Sequence, residues 1–126
     1  MIHHLDLPVA DLARSRAFYE AALTPLGLPL VMHRRHPGGY EVLGFGTLPD
    51  PVFWIRNMKP IPAPAHVAFV APTRAAVEAV HTAALTAGGV CNGKPGFRPL
   101  YAENYYAAFV IDPDGHNIEA VCRAAA

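Results

Sequence analysis

The sequence predicts an α+β fold built from two copies of one βαβββ module. Three observations carry that expectation. The tetrapeptide AALT occurs at residues 21–24 and again at 83–86, an offset close to half of the 126-residue chain. At that offset, His4-Leu5-Asp6-Leu7-Pro8-Val9 lies over His66-Val67-Ala68-Phe69-Val70-Ala71, and both segments alternate apolar and polar or small residues. Period-two alternation marks a half-buried strand. In the same register Asp11 lies over Thr73, and both are good helix N-caps. A chance match of four letters does not bring a strand, a cap and a helix with it.

Each element follows from its own pattern. After the first strand and cap, Leu12, Phe18, Tyr19 and Leu23 make one apolar helical stripe. Ala76, Val77, Val80, Ala84 and Leu85 make the matching stripe in the second half. Gly27 and the pair Gly88-Gly89 stop the two helices, because glycine accepts the left-handed backbone of a helix end. Beyond the first helix, LPLVMH, YEVLGF and VFWI read as strands separated by HPGG and TLPD. Beyond the second, Gly89–Cys91 reads as a strand followed by an irregular stretch, NGKPGFRP. YYAAFVI and NIEAV then flank the turn DPDG. The proline-rich KPIPAPA, residues 59–65, is the connector, giving module one as 1–58 and module two as 66–126 of a single domain.

Composition narrows the function classes. The chain is 52% hydrophobic and 16% charged, enough apolar side chain for a real core. Ten bases balance ten acids, so no electrostatic footprint for nucleic acid or an anionic membrane is expected. The apolar runs are too short to span a bilayer, and the N-terminus lacks the basic-then-apolar pattern of a signal peptide. Cys91 and Cys122 have no CxxC spacing and read as reduced thiols of a cytoplasmic protein.

HHLDLPVADLARSRAFY at the start, HVAF at the midpoint and DPDGHNIE near the end resemble the vicinal oxygen chelate superfamily, which groups glyoxalase I, bleomycin-resistance proteins and extradiol dioxygenases. The resemblance covers nearly the whole chain. It implies that each module curls into half of an open, barrel-like cup with the helices outside, around one divalent metal ion. It also implies that the ligands come from the first and last strand of each module. Carried over, those positions are His4, His66 and Glu119, with Glu119 also the catalytic carboxylate. Strand alternation sets His4 and Asp6 opposite Leu5 and Leu7, His66 opposite Val67, and Glu119 opposite Ile118, so all three candidates face away from the helices.

The fourth position departs from the pattern. Aligning VFWI with NIEA sets Trp54 where many glyoxalase I enzymes have a carboxylate, and an indole N–H only donates. Two imidazoles and one carboxylate suit Fe, Mn, Ni or Zn and leave positions open for water or substrate. Tyr40, Trp54, Arg56, Tyr105 and Tyr106 are the expected substrate pocket, with Arg56 and Arg98 otherwise paired to Glu41 and Glu103 at the surface. His3 is expected to point opposite to His4, and His33, His36, His81 and His116 read as surface or turn residues.

The expected function is a glyoxalase- or dioxygenase-like metalloenzyme, a lyase or dioxygenase acting on a small oxygen-bearing substrate. The alternatives are a non-catalytic, bleomycin-resistance-like binding protein and a fosfomycin-resistance-type transferase. The resemblance further implies a homodimer, with the site completed within one chain or across the pair.

Overall fold

A computed structural model describes residues 1–125. Module one runs β1 (Leu5–Val9), α1 (Leu12–Leu23), a 3-10 turn (Thr24–Leu26), β2 (Leu30–Arg35), β3 (Glu41–Gly46) and β4 (Pro51–Asn57). Module two runs β5 (His66–Val70), α2 (Arg74–Thr86), β6 (Val90–Phe97), β7 (Tyr106–Ile111) and β8 (Asn117–Cys122). Each module forms one four-stranded mixed sheet, ordered β1-β4-β3-β2 and β5-β8-β7-β6. Only the first-strand pairs, β1 with β4 and β5 with β8, are parallel. The two AALT copies fall at the C-terminal ends of α1 and α2, as the offset requires.

The caps act as their chemistry predicts. The Asp11 carboxylate accepts from the Arg14 N–H, and the Thr73 hydroxyl accepts from the Ala76 N–H. Gly27 closes α1 in the left-handed region at φ 70°. One element runs past its expected end. β6 continues through Asn92–Phe97, the stretch read as irregular, because register shifts near Gly93 absorb its Gly and Pro residues as bulges.

Alternation places Leu7, Val9, Phe53 and Ile55 on the helix side of the first sheet, all at 2% exposure or less. Phe18 and Tyr19 of α1 pack there edge to face, with Phe53 5.0 Å from Tyr19. The modules share this core. Phe53 meets Phe69 of β5 at 5.2 Å, and a Cβ on Gly89 would come within 2.7 Å of Phe18.

A polar knot ties the DPDGH turn to module one. The Asp112 carboxylate accepts from the Tyr19 hydroxyl at 2.5 Å and from the His116 N–H. Asp114 accepts from the Ala10 N–H and pairs with Arg14 at 3.3 Å. His116 follows the turn, as read from the sequence, but is fully buried rather than at the surface. Its Nδ1 accepts from the Ala65 N–H, which requires Nε2 to carry the proton it donates to the Pro8 carbonyl. The imidazole thereby satisfies two backbone groups that no strand ladder reaches.

Candidate functional site

The faces turned away from the helices carry Trp54 and Arg56 on the first sheet and His66 and Glu119 on the second. On module two, Glu119 of β8 is buried, its side chain only 3% exposed. A buried carboxylate needs partners, and it has two. His66 Nε2 lies 2.8 Å from Oε1, and the Tyr105 hydroxyl donates to Oε2. The Glu119 carboxylate on that hydroxyl, with burial adding to it, pushes Tyr105 up to about 12. Tyr105 therefore keeps its proton at neutral pH and serves as a donor. Phe109, cross-strand from Glu119, sets its ring 6.1 Å from His66, and Arg98 lies over Phe109 at 5.4 Å. Arg98 donates to the carbonyls of Phe97 and Lys94 and forms no ion pair with Glu103.

Tyr106 takes the other face. Its hydroxyl bonds Glu78 of α2 at 2.7 Å, and it packs against the buried cluster that holds Val77, Ala108 and Ala120 on the helix side. The two hydroxyls go to opposite sides of the sheet, Tyr105 to Glu119 and Tyr106 to Glu78, so Tyr105 and Tyr106 do not share a pocket. Tyr105 lines the cup and Tyr106 does not.

On module one, Asp6, Trp54 and Arg56 share the open face, above a cavity of about 510 Å³ that Tyr40 also lines. The Asp6 carboxylate accepts from Nε and Nη2 of Arg56, the closer at 2.6 Å, so Arg56 pairs with β1 and not with Glu41. This bond, ahead of any loss from burial, raises the Arg56 pKa. Arg56 also lies 4.8 Å over Tyr40, which stacks on His36 at 4.2 Å. Trp54 lies flat across β3. A Cβ on its cross-strand neighbour Gly44 would sit 2.9 Å from the indole, so only glycine leaves the ring that room.

The repeat alignment holds in the register. Trp54 stands beside Asp6 on β1 as Glu119 stands beside Ala68 on β5. His4, however, precedes β1, and strand alternation does not govern it. Its ring meets His3, Nδ1 to Nδ1 at 2.9 Å, so the two do not point apart as expected. His4 and His66 both line a groove of about 660 Å³ with Val52 and Phe53 of β4, and Glu119 is not among its lining residues. Among the described residues no three His, Cys, Asp or Glu side chains cluster as a metal site would require. The chain thus brings His66 and Glu119 together and leaves His4 outside.

One arrangement went unseen in the sequence, where His81 reads as a surface or turn residue. His81 of α2 is 9% exposed and bonds Cys91 at 3.2 Å, and burial lowers its pKa. Cys91 and Cys122 are both free thiols. His33 lies at the surface, as expected, and its partner there is Glu41 at 2.7 Å. No helix among the described residues is long and apolar enough to cross a membrane.

The sequence model of the Glyoxalase/Bleomycin resistance protein/Dioxygenase superfamily matches residues 1–120. The chain belongs to this superfamily. Many of its members are metal-dependent enzymes, and a divalent metal is common among them. A glyoxalase/bleomycin resistance protein from Albidiferax ferrireducens T118 is 30% identical, with a TM-score of 0.72 over 96% of this chain and 97% of that one. Glyoxalase I from Zea mays is 26% identical, with a TM-score of 0.69 over 96% of this chain, which spans only 45% of the maize chain. A glyoxylase/bleomycin resistance protein/dioxygenase domain from Frankia sp. EAN1pec, at 15% identity, shares the fold with a TM-score of 0.73 over 97% of this chain and 96% of that one. Among curated proteins none matches.

Proposed function

We propose that this superfamily member is a metal-dependent enzyme of the lyase or dioxygenase kind, acting on a small molecule with neighbouring oxygens. The observation that carries the reading is the His66–Glu119 pair at 2.8 Å, with the carboxylate buried. An imidazole nitrogen and a carboxylate oxygen sharing one proton present two converging lone pairs, which is the donor chemistry that Fe, Mn, Ni or Zn accepts. Two ligands do not make a site. His4 supplies the third, and because it lies outside the pair in its own chain, the reading places it on a second copy in a homodimer. When bound, the metal supplies a Lewis acid that polarises a substrate oxygen.

The chain's own groups do the rest. Tyr105 fixes the Glu119 carboxylate by donating to Oε2. A metal held by His66 Nε2 and Glu119 Oε1 would displace to solvent the proton that joins the pair, so metal affinity is expected to rise with pH. Glu119, freed of that proton, is the base nearest the substrate. Trp54 and Tyr40 wall the opposite half of the cup.

A second reading has its own support. His66 and Tyr105 already satisfy Glu119 without a metal, as a metal-free binding protein would require. Metal analysis separates the two. Protein purified without chelator and titrated with Fe, Mn, Ni or Zn is expected to hold about one equivalent per chain, and His66→Ala or Glu119→Gln to weaken binding at least ~10-fold. Binding unchanged in both variants, or absent from the parent, contradicts the enzyme reading.

A further inference from the structure

The open face of module one carries a cation with nothing to neutralise it. Arg34 of β2 sits with its guanidinium carbon 5.7 Å from the centroid of the Trp54 ring. Its neighbours are spent: Arg56 on Asp6, and Arg35 on Glu41 at 3.5 Å. Among the described residues no carboxylate lies within 4.0 Å of Arg34. The floor beneath is built rather than incidental. Gly44 lets the indole lie flat, and Tyr40 and His36, stacked at an interplanar angle of 11°, form a second aromatic wall. The cavity between them, about 510 Å³, suits a small ligand.

We infer that this face binds a flat organic carboxylate, its body on Trp54 and its charge on Arg34. A single unpaired guanidinium matches the planar, bidentate demand of one carboxylate. A dianion would ask for a second free cation, and Arg56 is already held by Asp6. The conjugated body follows from the floor, since an indole face held flat gains most from another flat face. The inference rests on the proposed function only in taking the open face as the substrate cup. It gives that substrate a carboxylate beyond the oxygens the metal would hold.

Trp54 is the only tryptophan in the chain, so its fluorescence reports this face alone. The test titrates chelator-treated protein with benzoate and, separately, with benzamide, its neutral counterpart of the same shape. Benzoate is expected to give a saturable change in Trp54 emission, with benzamide at least ~10-fold weaker, the scale of a charge-assisted hydrogen bond. Arg34→Gln, at an exposed position, is expected to weaken benzoate ~10-fold or more and to leave benzamide unchanged. Equal binding of the two ligands, benzoate binding unaffected by Arg34→Gln, or no saturable change overturns the inference. The same titration on Glu119→Gln keeps the two claims apart. Benzoate binding retained while metal is lost leaves the carboxylate site standing on its own, and benzoate lost with Glu119→Gln in chelator-treated protein overturns it. Failure of the parent to take up metal, with benzoate still bound, removes the enzyme reading alone.

Discussion

Glu119 and Trp54 occupy matching places in the two modules and have opposite chemistry. The carboxylate is buried and held by two partners, while the indole lies flat on a glycine. The glycine is what makes the second arrangement possible. Gly44→Ala places a methyl 2.9 Å from the ring, which must then lift or turn. A stability loss of about 1–3 kcal/mol in urea, with shifted Trp54 emission, is the expected outcome. Unchanged emission would mean that the indole does not rest there. The direction of the Glu119 side chain was legible in the sequence because it lies within a strand whose alternation is clear. The direction of His4 was not, since it stands one residue before β1, where no ladder fixes it. Arg34 was passed over because an exposed arginine near a turn usually faces water, and only the placement of its neighbours' partners shows it to be free.

At the scale of elements, the repeat was readable because strand, cap, helix and glycine stop all recur at one offset. What joins the copies was not. The knot of Tyr19, Asp112 and His116 links α1, the β7–β8 turn and the connector, and its partners lie 51 to 108 residues apart. Contacts so distant leave no local pattern, and the turn that carries them reads as a surface loop. β6 escaped for a different reason, since bulged Gly and Pro residues imitate a loop. The knot has a measurable energy. Tyr19→Phe leaves Oδ2 of a nearly buried aspartate without its donor and is expected to cost about 1–3 kcal/mol in urea unfolding. Its pH dependence has a definite sign. Burial first, and Asp112 next, raise the Tyr19 pKa well above its ordinary value. The Tyr19 contribution is therefore complete below the ordinary tyrosine range and is lost as pH climbs from there through the raised value of the folded state, because the unfolded chain ionises first. Parent and Tyr19→Phe should converge in stability at high alkaline pH, and a constant gap would speak against the bond.

At the scale of the whole molecule, one chain carries two half-sites on two open sheet faces. The central claim is that His4 of one copy meets His66 and Glu119 of another. A mixed dimer tests this most directly. His4→Ala and Glu119→Gln each break both sites of a symmetric pair. Co-expressed in equal amounts, half of the dimers are mixed, and each mixed dimer holds one intact site if the ligands come from different copies. The measurement is bound metal per chain in that preparation. The account predicts near-zero metal in either variant alone and about a quarter of the parent value in the mixture. Metal no higher in the mixture than in the separate variants would contradict it.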